Sequence, residues 1–338
     1  MGRAAVIGAG SWGTALAKVL GEKGHQVRMW SYEASVADQI REDRVNHEYL
    51  PDVMLPDNID VRLQHAEVLE DSEVVIVVVP SHAFRQVMSE AAPYVPPRAL
   101  VLSATKGIEV DTLKRPSEVL RALLPRHREP GVLSGPTFAR EVGEGDPTAL
   151  VVASRDPDLA REAQGFFNTE RFRVYTNDDV IGVELAASLK NVIALAAGIA
   201  AGLGYRNNSR AALVTRGLAE ITRLGLAMGA RASTFAGLAG LGDLVLTCSS
   251  ELSRNRTVGV RLGRGETLKD ILASMKMVAE GVLTTKAARA LAHTHRVEMP
   301  IVDEVHHILF EGKPPKRATA DLMLREPKPE LWGGSHAT

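Results

Sequence analysis

The stretch IGVELAASLKNVIALAAGIAAGLG, residues 181–204, decides the second half of the fold. It consists mostly of Ala, Leu, Ile, Val and Gly, and a helix that is apolar on every side belongs in a protein core or a membrane. Asp178 and Asp179 precede it as candidate N-caps, and Gly202 and Gly204 indicate where it ends. Because the chain has no second stretch of this kind and no flanking basic clusters, we expect a buried core helix.

One lysine, Lys190, lies inside this apolar helix and is followed by Asn191. Burial penalises the charged form of a lysine, so its pKa is expected to fall unless a carboxylate compensates. Two interpretations stay open at this point. Lys190 either extends its ammonium group to the helix edge or acts as a catalytic acid/base.

The composition limits the class of protein. With 338 residues the chain is expected to form two domains. Its 40 basic and 41 acidic residues leave a net charge of −1, which argues against nucleic acid or an anionic membrane as a partner. The single cysteine excludes an intrachain disulfide, and MGRAAVIGAGSWG is too short and glycine-interrupted for a signal peptide. We therefore expect a soluble, cytoplasmic protein without stable membrane insertion.

Upstream of the apolar helix, the chain begins with a strand, a glycine loop and a helix. Arg3–Ile7 is an apolar run, GAGSWG follows at 8–13, and 14–22 has a helical pattern. This order matches the dinucleotide fingerprint, in which glycines allow a tight turn and the pyrophosphate lies on the helix N-terminus. The sequence predicts a Rossmann-type domain that binds NAD or NADP at Gly8, Gly10 and Gly13.

A carboxylate follows the second predicted strand, Gln26–Trp30. Glu33 lies about 20 residues after the glycines, where a carboxylate binds the ribose 2′-OH and an arginine would accommodate a 2′-phosphate. Glu33 therefore favours NAD, although it is equally explained as the start of the next predicted helix, 34–42. The loop predicted at 46–56 is expected to cover the adenosine end of the cofactor.

Further runs predict strands at 73–79, 99–104, 131–134, 148–154 and 172–176. The continuous β-branched run at 73–79 is typical of a strand that is buried on both faces of a parallel sheet. The carboxyl ends of such strands line a ligand crevice. His82, after the first of these runs, is interpreted as a helix-start residue rather than a catalytic one. Lys106 follows the second run, and its position favours a role in the site over that of a solvated surface lysine.

The β-branched runs stop after this half of the chain. Beyond the Lys190 helix, the pattern predicts helices at 210–228, 255–262, 268–275, 284–293, 301–310 and 315–324. We predict an α/β Rossmann-type domain at 1–177 and an all-α substrate and catalytic domain at 178–326. The tail at 327–338 is expected to be disordered.

Two loops in the second half carry candidate chemistry. The glycine-rich segment 237–244 is expected to be flexible and holds one carboxylate, Asp243. Segment 250–257 places hydroxyls, an amide and arginines before a helix, a pattern suited to a phosphate group, although Ser253 would also serve as an ordinary N-cap. Cys248, between the loops, is interpreted as a buried thiol because no histidine lies near it in sequence. No cluster of metal-ligand residues indicates a metal site.

Six motifs together resemble one known family, the bacterial NAD(P)-dependent glycerol-3-phosphate dehydrogenases. They are GAGSWG (8–13), TKG (105–107), SGPT (134–137), LKNV (189–192), GLAGLGD (237–243) and SRNR (253–256). The resemblance covers nearly the whole chain. It implies the reversible reduction of dihydroxyacetone phosphate to sn-glycerol 3-phosphate for phospholipid synthesis, and a homodimer.

The resemblance also assigns roles to residues. The catalytic group would be Lys190, Lys106 and Asp243, with Lys190 as the proton donor and acceptor. The cofactor would contact Gly8, Gly10, Ser11, Trp12, Gly13, Tyr32, Glu33, Lys106, Ala139, Arg254, Val278 and Glu280. The substrate would contact Lys106, Gly135, Thr137, Lys190, Asp243, Ser253, Arg254 and Asn255. With Lys106, Asp243 and a phosphate near Lys190, the direction of its pKa shift becomes open.

One position departs from the family pattern, and two other classes of protein compete with this interpretation. Tyr32 stands where the family commonly has arginine or histidine, so the choice between NAD and NADP stays open. A β-hydroxyacid dehydrogenase would carry Lys-x-x-x-Asn on the catalytic helix, whereas here Asn191 adjoins Lys190 and position 194 is Ala. A regulator that binds a cofactor without catalysis would need the glycine loop but not Lys106, Lys190 and Asp243 together.

Overall fold

The structure, a computed structural model, describes residues 2–275, 278–327 and 329–330. Most of the tail that was expected to be disordered lies outside these residues, and Pro327, Pro329 and Glu330 are exposed.

A mixed sheet occupies the first half of the chain. The described residues form ten strands: β1 (Arg3–Ile7), β2 (Gln26–Trp30), β3 (Val45–Asn46), β4 (Leu50–Met54), β5 (Ile59–Arg62), β6 (Val74–Val77), β7 (Leu100–Ser103), β8 (Gly131–Ser134), β9 (Thr148–Ala153) and β10 (Phe172–Asn177). Eight of these strands form one sheet in the order β10-β9-β8-β7-β6-β1-β2-β5. All neighbours pair in parallel except β8 and β9, which pair antiparallel. The strand at 73–79 (β6) pairs in parallel on both sides, as its sequence predicted.

Seven α-helices of the described residues accompany the sheet: α1 (Ser11–Glu22), α2 (Ala34–Asp43), α3 (His65–Leu69), α4 (Phe84–Ala91), α5 (Pro116–Leu123), α6 (Ala139–Glu144) and α7 (Pro157–Phe167). Beyond the sheet, the described residues form α8 (Val180–Gly202), α9 (Asn207–Ala227), α10 (Ala232–Phe235), α11 (Asp243–Ser249), α12 (Arg254–Gly263), α13 (Leu268–Ala273), α14 (Glu280–His295), α15 (Pro300–Phe310) and α16 (Pro315–Met323). A Rossmann-type α/β half followed by a helical half confirms the predicted fold class.

The segment predicted as a loop at 46–56 contains a short hairpin instead. Strands β3 and β4 pair antiparallel with a register shift at Val45 and Asn46. Pro51 lies within β4 and made a strand hard to predict from the sequence. The next residue, Asp52, has a left-handed backbone conformation (φ 66°). The neighbouring edge strand β5 has four residues and was missed because so short a run carries little pattern.

Helix α8 is the core of the helical half. It begins with Asp179, whose carboxylate accepts a hydrogen bond from the Gly182 amide at 2.9 Å, and ends at Gly202. Its most apolar window is 94% buried, so its length and composition reflect a core helix of the folded domain. A second stretch, Ala232–Ser249, also has the length and hydropathy of a membrane span, contrary to expectation, but it is 44% buried and divided into shorter helical segments.

The glycine-rich segment before Asp243 is ordered, so the prediction of a flexible loop is wrong. Leu238–Gly242 forms a single π-helical turn that leads directly into α11. A methyl group at Gly240 would lie 2.1 Å from the carbonyl oxygen of Phe235, so the glycine allows the turn to pack against α10. The turn places Asp243 as the first residue of α11, where it is buried.

Glycines bring α8 and α12 into backbone contact. A methyl group at Gly198 would lie 2.1 Å from the carbonyl oxygen of Arg256, and one at Gly259 would lie 2.2 Å from that of Leu195. Gly202 and Gly263 make the equivalent approach one turn further along both helices. Because neither helix has side chains at this crossing, the first turn of α12 lies beside the middle of α8.

A buried ion pair joins α8 to the sheet half. Glu184 on α8 accepts hydrogen bonds from the Arg115 guanidinium at 2.7 Å and from the Ser117 amide and hydroxyl at 2.7 and 2.6 Å. Burial raises the pKa of Glu184, while the charge of Arg115 and the Ser117 hydrogen bonds oppose that shift. Removing one partner would leave a buried charge unpaired, so the pair fixes the position of α8.

The α8–α12 contact predicts a large effect from one methyl group. Gly198→Ala should lower the free energy of unfolding by about 1–3 kcal/mol, because its Cβ has no room against α12. Urea denaturation measures this change. Gly165→Ala on α7 is the control, since its Cβ would meet no atom within 4 Å. Equal losses in both variants would contradict the close contact.

Candidate active site

The glycine loop forms a tight turn that is closed on one side and open on the other. Gly8 has φ +122°, a conformation that favours glycine. A methyl group at Gly13 would lie 1.9 Å from the Gly8 carbonyl oxygen, whereas one at Gly10 would meet no atom within 4 Å. The Asn46 amide donates to the carbonyl oxygen of Ala9 at 2.8 Å, which ties the loop to the hairpin.

The open side of this loop fits the pyrophosphate of a dinucleotide. Gly10 is the N-cap of α1, Ser11 is its first residue, and the first turn has no acidic side chain to repel a phosphate. The buried indole nitrogen of Trp12 has no hydrogen-bond partner among the described residues. Ala139, the first residue of α6, packs with Trp12 against the sheet core.

The end of β2 presents an exposed aromatic ring and a restrained carboxylate. Tyr32 is 82% exposed and lies edge-on to Trp30. Glu33 is the N-cap residue of α2, and its carboxylate accepts a hydrogen bond from the Tyr49 hydroxyl at 2.8 Å. Burial and this carboxylate raise the pKa of Tyr49 to about 12. Glu33 therefore does begin the helix, and it follows the carboxyl end of β2.

Two lysines from the two halves of the chain meet on one carboxylate. Lys190 Nζ lies 2.5 Å from Asp243 Oδ1, and Lys106 Nζ lies 2.9 Å from Asp243 Oδ2. Lys190 is 6% exposed and Asp243 is 1% exposed. The Thr247 hydroxyl, one turn after Asp243 on α11, lies 2.8 Å from Lys190 Nζ. The ammonium group of Lys190 is therefore held inside the protein and does not extend to the helix edge.

Burial lowers the pKa of Lys190 to about 8. The negative charge of Asp243 opposes this shift, and the positive charge of Lys106 adds to it. The direction that the sequence left open is therefore downward. A lysine with this pKa exchanges a proton near neutral pH, as a general acid/base requires.

Lys106 is positioned by the ends of two strands. It follows β7, and its ammonium group also donates to the Gly135 carbonyl at 2.9 Å and to the Thr137 hydroxyl at 3.2 Å, both just beyond β8. Gly135 has φ +156°, and a methyl group there would lie 2.7 Å from the Leu150 side chain. The structure thus brings Lys106 together with Asp243 and Lys190, and its role in a site stays a prediction.

The segment predicted to bind phosphate begins α12. Ser253 is the N-cap and accepts a hydrogen bond from the Arg256 amide at 3.2 Å, so its capping role is real. Asn255 is buried, and its Oδ1 accepts from the Gly281 amide at 2.9 Å, which leaves its Nδ2 group as a donor. Arg254 exposes its side chain at the first position of the helix.

The last two predicted cofactor contacts lie at the start of α14. Val278 is 36% exposed, whereas Glu280 is partly buried and accepts hydrogen bonds from the Ser81 amide at 2.8 Å and hydroxyl at 2.5 Å. Burial raises the pKa of Glu280, and these hydrogen bonds oppose the shift. Ser81 and Thr247 were missed in the sequence. Two sequence positions could have identified them: Ser81 follows the carboxyl end of a buried strand, β6, and Thr247 lies four residues, or one helical turn, after Asp243.

Two other candidate residues lie outside this chemistry. Burial raises the pKa of the Cys248 thiol to about 12, which makes it a poor nucleophile at neutral pH. His82 is exposed in the turn before α4, consistent with the helix-start interpretation. Across the part of the chain that the structure describes, no group of three or more His, Cys, Asp or Glu side chains is placed to hold a metal ion.

A Rossmann-type half with an open glycine loop, joined to a buried and a partly buried lysine that share one carboxylate, defines a dinucleotide-dependent oxidoreductase. The family models described as NAD-dependent glycerol-3-phosphate dehydrogenase N-terminus and C-terminus match residues 3–160 and 179–320. The chain therefore belongs to the NAD-dependent glycerol-3-phosphate dehydrogenase family. This confirms the resemblance noted in the sequence.

Individual relatives are similar over nearly their full lengths. A glycerol-3-phosphate dehydrogenase [NAD(P)+] of Koribacter versatilis is 54% identical, over 98% of this chain and 100% of the relative. One of Geobacter sp. strain M21 is 51% identical, over 96% of this chain and 98% of the relative. The crystal structure of glycerol-3-phosphate dehydrogenase from Coxiella burnetii superposes with a TM-score of 0.92 at 41% identity, covering 96% of this chain and 99% of that one.

Proposed function

We propose that this chain reversibly reduces dihydroxyacetone phosphate to sn-glycerol 3-phosphate with NADH or NADPH. The observation that carries the proposal is Asp243 bridging Lys190 and Lys106, because this arrangement suits proton transfer to a carbonyl oxygen. Relatives that share half of the sequence bear the name of this activity. In this proposal residues 1–177 bind the cofactor, and residues 178–326 supply the acid/base lysine and the phosphate site.

The cofactor would bind along the sheet edge. Its pyrophosphate would lie on the glycine loop and the start of α1, and its adenosine ribose would lie at the end of β2. The proposed contacts are Gly8, Gly10, Ser11, Trp12, Gly13, Tyr32, Glu33, Lys106, Ala139, Arg254, Val278 and Glu280. When bound, the nicotinamide supplies the hydride for the carbonyl carbon.

The substrate would be held at both ends. Ser253, Arg254 and Asn255 would bind the phosphate, because a helix N-terminus with an arginine and an amide donor suits an anion. Lys106, with Gly135 and Thr137 behind it, would contact the carbonyl end. Anchoring the phosphate away from the reacting carbon fixes the orientation of the carbonyl group.

Lys190 would deliver the proton. As negative charge develops on the carbonyl oxygen, the ammonium groups of Lys190 and Lys106 stabilise it, and Lys190 then protonates the oxygen. Asp243 holds both ammonium groups and balances only one of their two positive charges. In the reverse reaction, neutral Lys190 would accept the proton of the alcohol.

An assay of NADH and NADPH oxidation with dihydroxyacetone phosphate tests the reaction. Turnover with either cofactor is expected, and turnover with neither would contradict the proposal. A β-hydroxyacid dehydrogenase would instead reduce a β-keto acid, and a regulator would bind the cofactor without turnover. The ratio of kcat/KM for the two cofactors gives the preference that Glu33 and Tyr32 leave open.

The setting of the enzyme is also a proposal. A homodimer that supplies glycerophospholipid synthesis in the cytoplasm is what the family resemblance implies. The net charge of −1 supports the absence of a nucleic-acid partner. Light scattering on the purified protein tests the dimer.

Replacing the acid/base group should remove the chemical step selectively. Lys190→Met is expected to lower kcat by at least about 10²-fold with NADH affinity nearly unchanged, because the proton donor is lost while the cofactor contacts remain. Steady-state kinetics and NADH titration measure both. Lys269→Met, which changes an exposed lysine on α13, is the control and should behave as the unmodified protein does. Near-normal turnover of the first variant would exclude Lys190 as the acid.

Replacing the phosphate arginine should mainly weaken substrate binding. Arg254→Ala is expected to raise the KM for dihydroxyacetone phosphate by about tenfold or more, because a charged hydrogen bond to phosphate is lost. Arg264→Ala removes an exposed arginine from the other end of the same helix and should leave KM unchanged. An unchanged KM in both variants would refute the phosphate role.

The lowered pKa of Lys190 predicts opposite pH dependences for the two directions. Reduction needs protonated Lys190, so its kcat/KM should fall above a pH of about 8; oxidation needs the neutral form and should rise through the same value. Profiles of kcat/KM against pH measure both. In Lys190→Arg the side chain stays charged, so the fall in the reductive direction near this pH should disappear. The same profile in this variant would assign the titration to another group.

A further inference from the structure

A contact between distant parts of the chain lies beside the proposed site. The Ser81 amide and hydroxyl donate to the two carboxylate oxygens of Glu280, at 2.8 and 2.5 Å, across 199 residues of sequence. Ser81 follows β6 in the sheet half, and Glu280 is the first residue of α14 in the helical half. Ser81 is buried and Glu280 is partly buried, so each group depends largely on the other for its hydrogen bonding.

The next residue carries this contact to the phosphate segment. The Gly281 amide donates to Asn255 Oδ1 at 2.9 Å. A methyl group at Gly281 would lie 2.7 Å from the Asn191 carbonyl oxygen and 2.8 Å from Asn255 Oδ1, so the start of α14 is pressed against α8 and α12. Because Oδ1 is occupied, the amide Nδ2 is the group of Asn255 that stays available as a donor to an anion.

The same contact also borders the substrate lysine. A methyl group at Gly107 would lie 2.5 Å from the Ser81 side chain and 2.8 Å from Glu280 Oε2. The Asn191 side chain donates to the Lys106 carbonyl oxygen at 3.2 Å. A shift of the start of α14 would therefore disturb the segment that follows β7 as well as the phosphate segment.

We propose that Ser81 is a positioning residue: by holding Glu280 it fixes the start of α14 and so the amide of Asn255, which couples cofactor binding to substrate binding. We call the Ser81–Glu280 and Gly281–Asn255 hydrogen bonds the latch. The inference rests on the proposed function, since Glu280 is there a cofactor contact and Asn255 a phosphate contact. A donor that is fixed before the substrate arrives saves the entropy of ordering it, and a cofactor that further restrains Glu280 strengthens phosphate binding.

The test compares Ser81→Ala with Ser89→Ala, which removes an exposed serine hydroxyl from α4 and is expected to change nothing. Ser81→Ala should raise the KM for dihydroxyacetone phosphate by about 3-fold to 10-fold and change kcat by less than about 3-fold. In calorimetry, the ratio of the glycerol 3-phosphate Kd without and with NAD+ should fall by about 3-fold or more. In the ligand-free protein, amide hydrogen exchange of the segment 279–288 should be faster.

Each result supports the latch or overturns it. If Ser81→Ala leaves both the KM and the Kd ratio unchanged, the latch is overturned. A lower Tm with neither of these changes also overturns it, because the hydroxyl would then only stabilise the fold. Glu280→Gln is the second variant: it should raise KM similarly, and the double variant should be no worse than the more affected single one. Fully additive losses overturn the latch. If the unmodified protein turns over neither cofactor, the proposed function fails; unchanged amide exchange at 279–288 in Ser81→Ala overturns the latch separately.

Discussion

The site depends on one buried carboxylate that holds two ammonium groups. Asp243 reaches Lys190 with one oxygen and Lys106 with the other, at 2.5 and 2.9 Å. A buried ion is stable only when it is paired and hydrogen-bonded, so the buried ammonium group of Lys190 depends on this carboxylate. One negative and two positive charges leave an excess positive charge. That excess suits a centre that must stabilise a developing oxyanion, and a neutral pair would not supply it.

Three contacts outside this cluster hold α8, α12, α14 and the sheet half together. Glu184 joins α8 to Arg115 in the sheet half, glycines bring α12 against α8, and Ser81 holds the start of α14. The first contact is ionic, the second steric and the third a hydrogen bond. Because these contacts restrain different elements, they fix the two lysines and the N-terminus of α12 relative to one another. Among the described residues, no metal or disulfide link contributes to this. Orientation of this kind is a major source of catalytic rate.

The features that could be predicted from the sequence are those with a recognisable pattern within a short stretch of residues. The glycine loop, the buried strands and the apolar helix around Lys190 each have a local pattern. The antiparallel pairing of β9 was not predictable, because a strand buried on both faces has the same apolar run in either direction. The π-helical turn before Asp243 looks like a flexible loop in sequence, since its order comes from Gly240 packing on Phe235. The Ser81–Glu280 contact joins residues 199 positions apart, so no short stretch of the sequence indicates that the two side chains meet.

The balance of charges explains how the same lysine can serve both directions of a reaction. Burial and Lys106 lower the pKa of Lys190 while Asp243 raises it, and the outcome, about 8, lies close to neutral pH. In the proposed function, a phosphate bound at Arg254 and Asn255 would add negative charge and move this pKa upward, by linkage between the two binding events. Bound substrate would then favour the protonated lysine that reduction needs. Once the phosphate left, the pKa would return towards about 8, where the proton exchanges readily with solvent. The phosphate that anchors the substrate in this proposal would therefore also favour the protonated state of the acid.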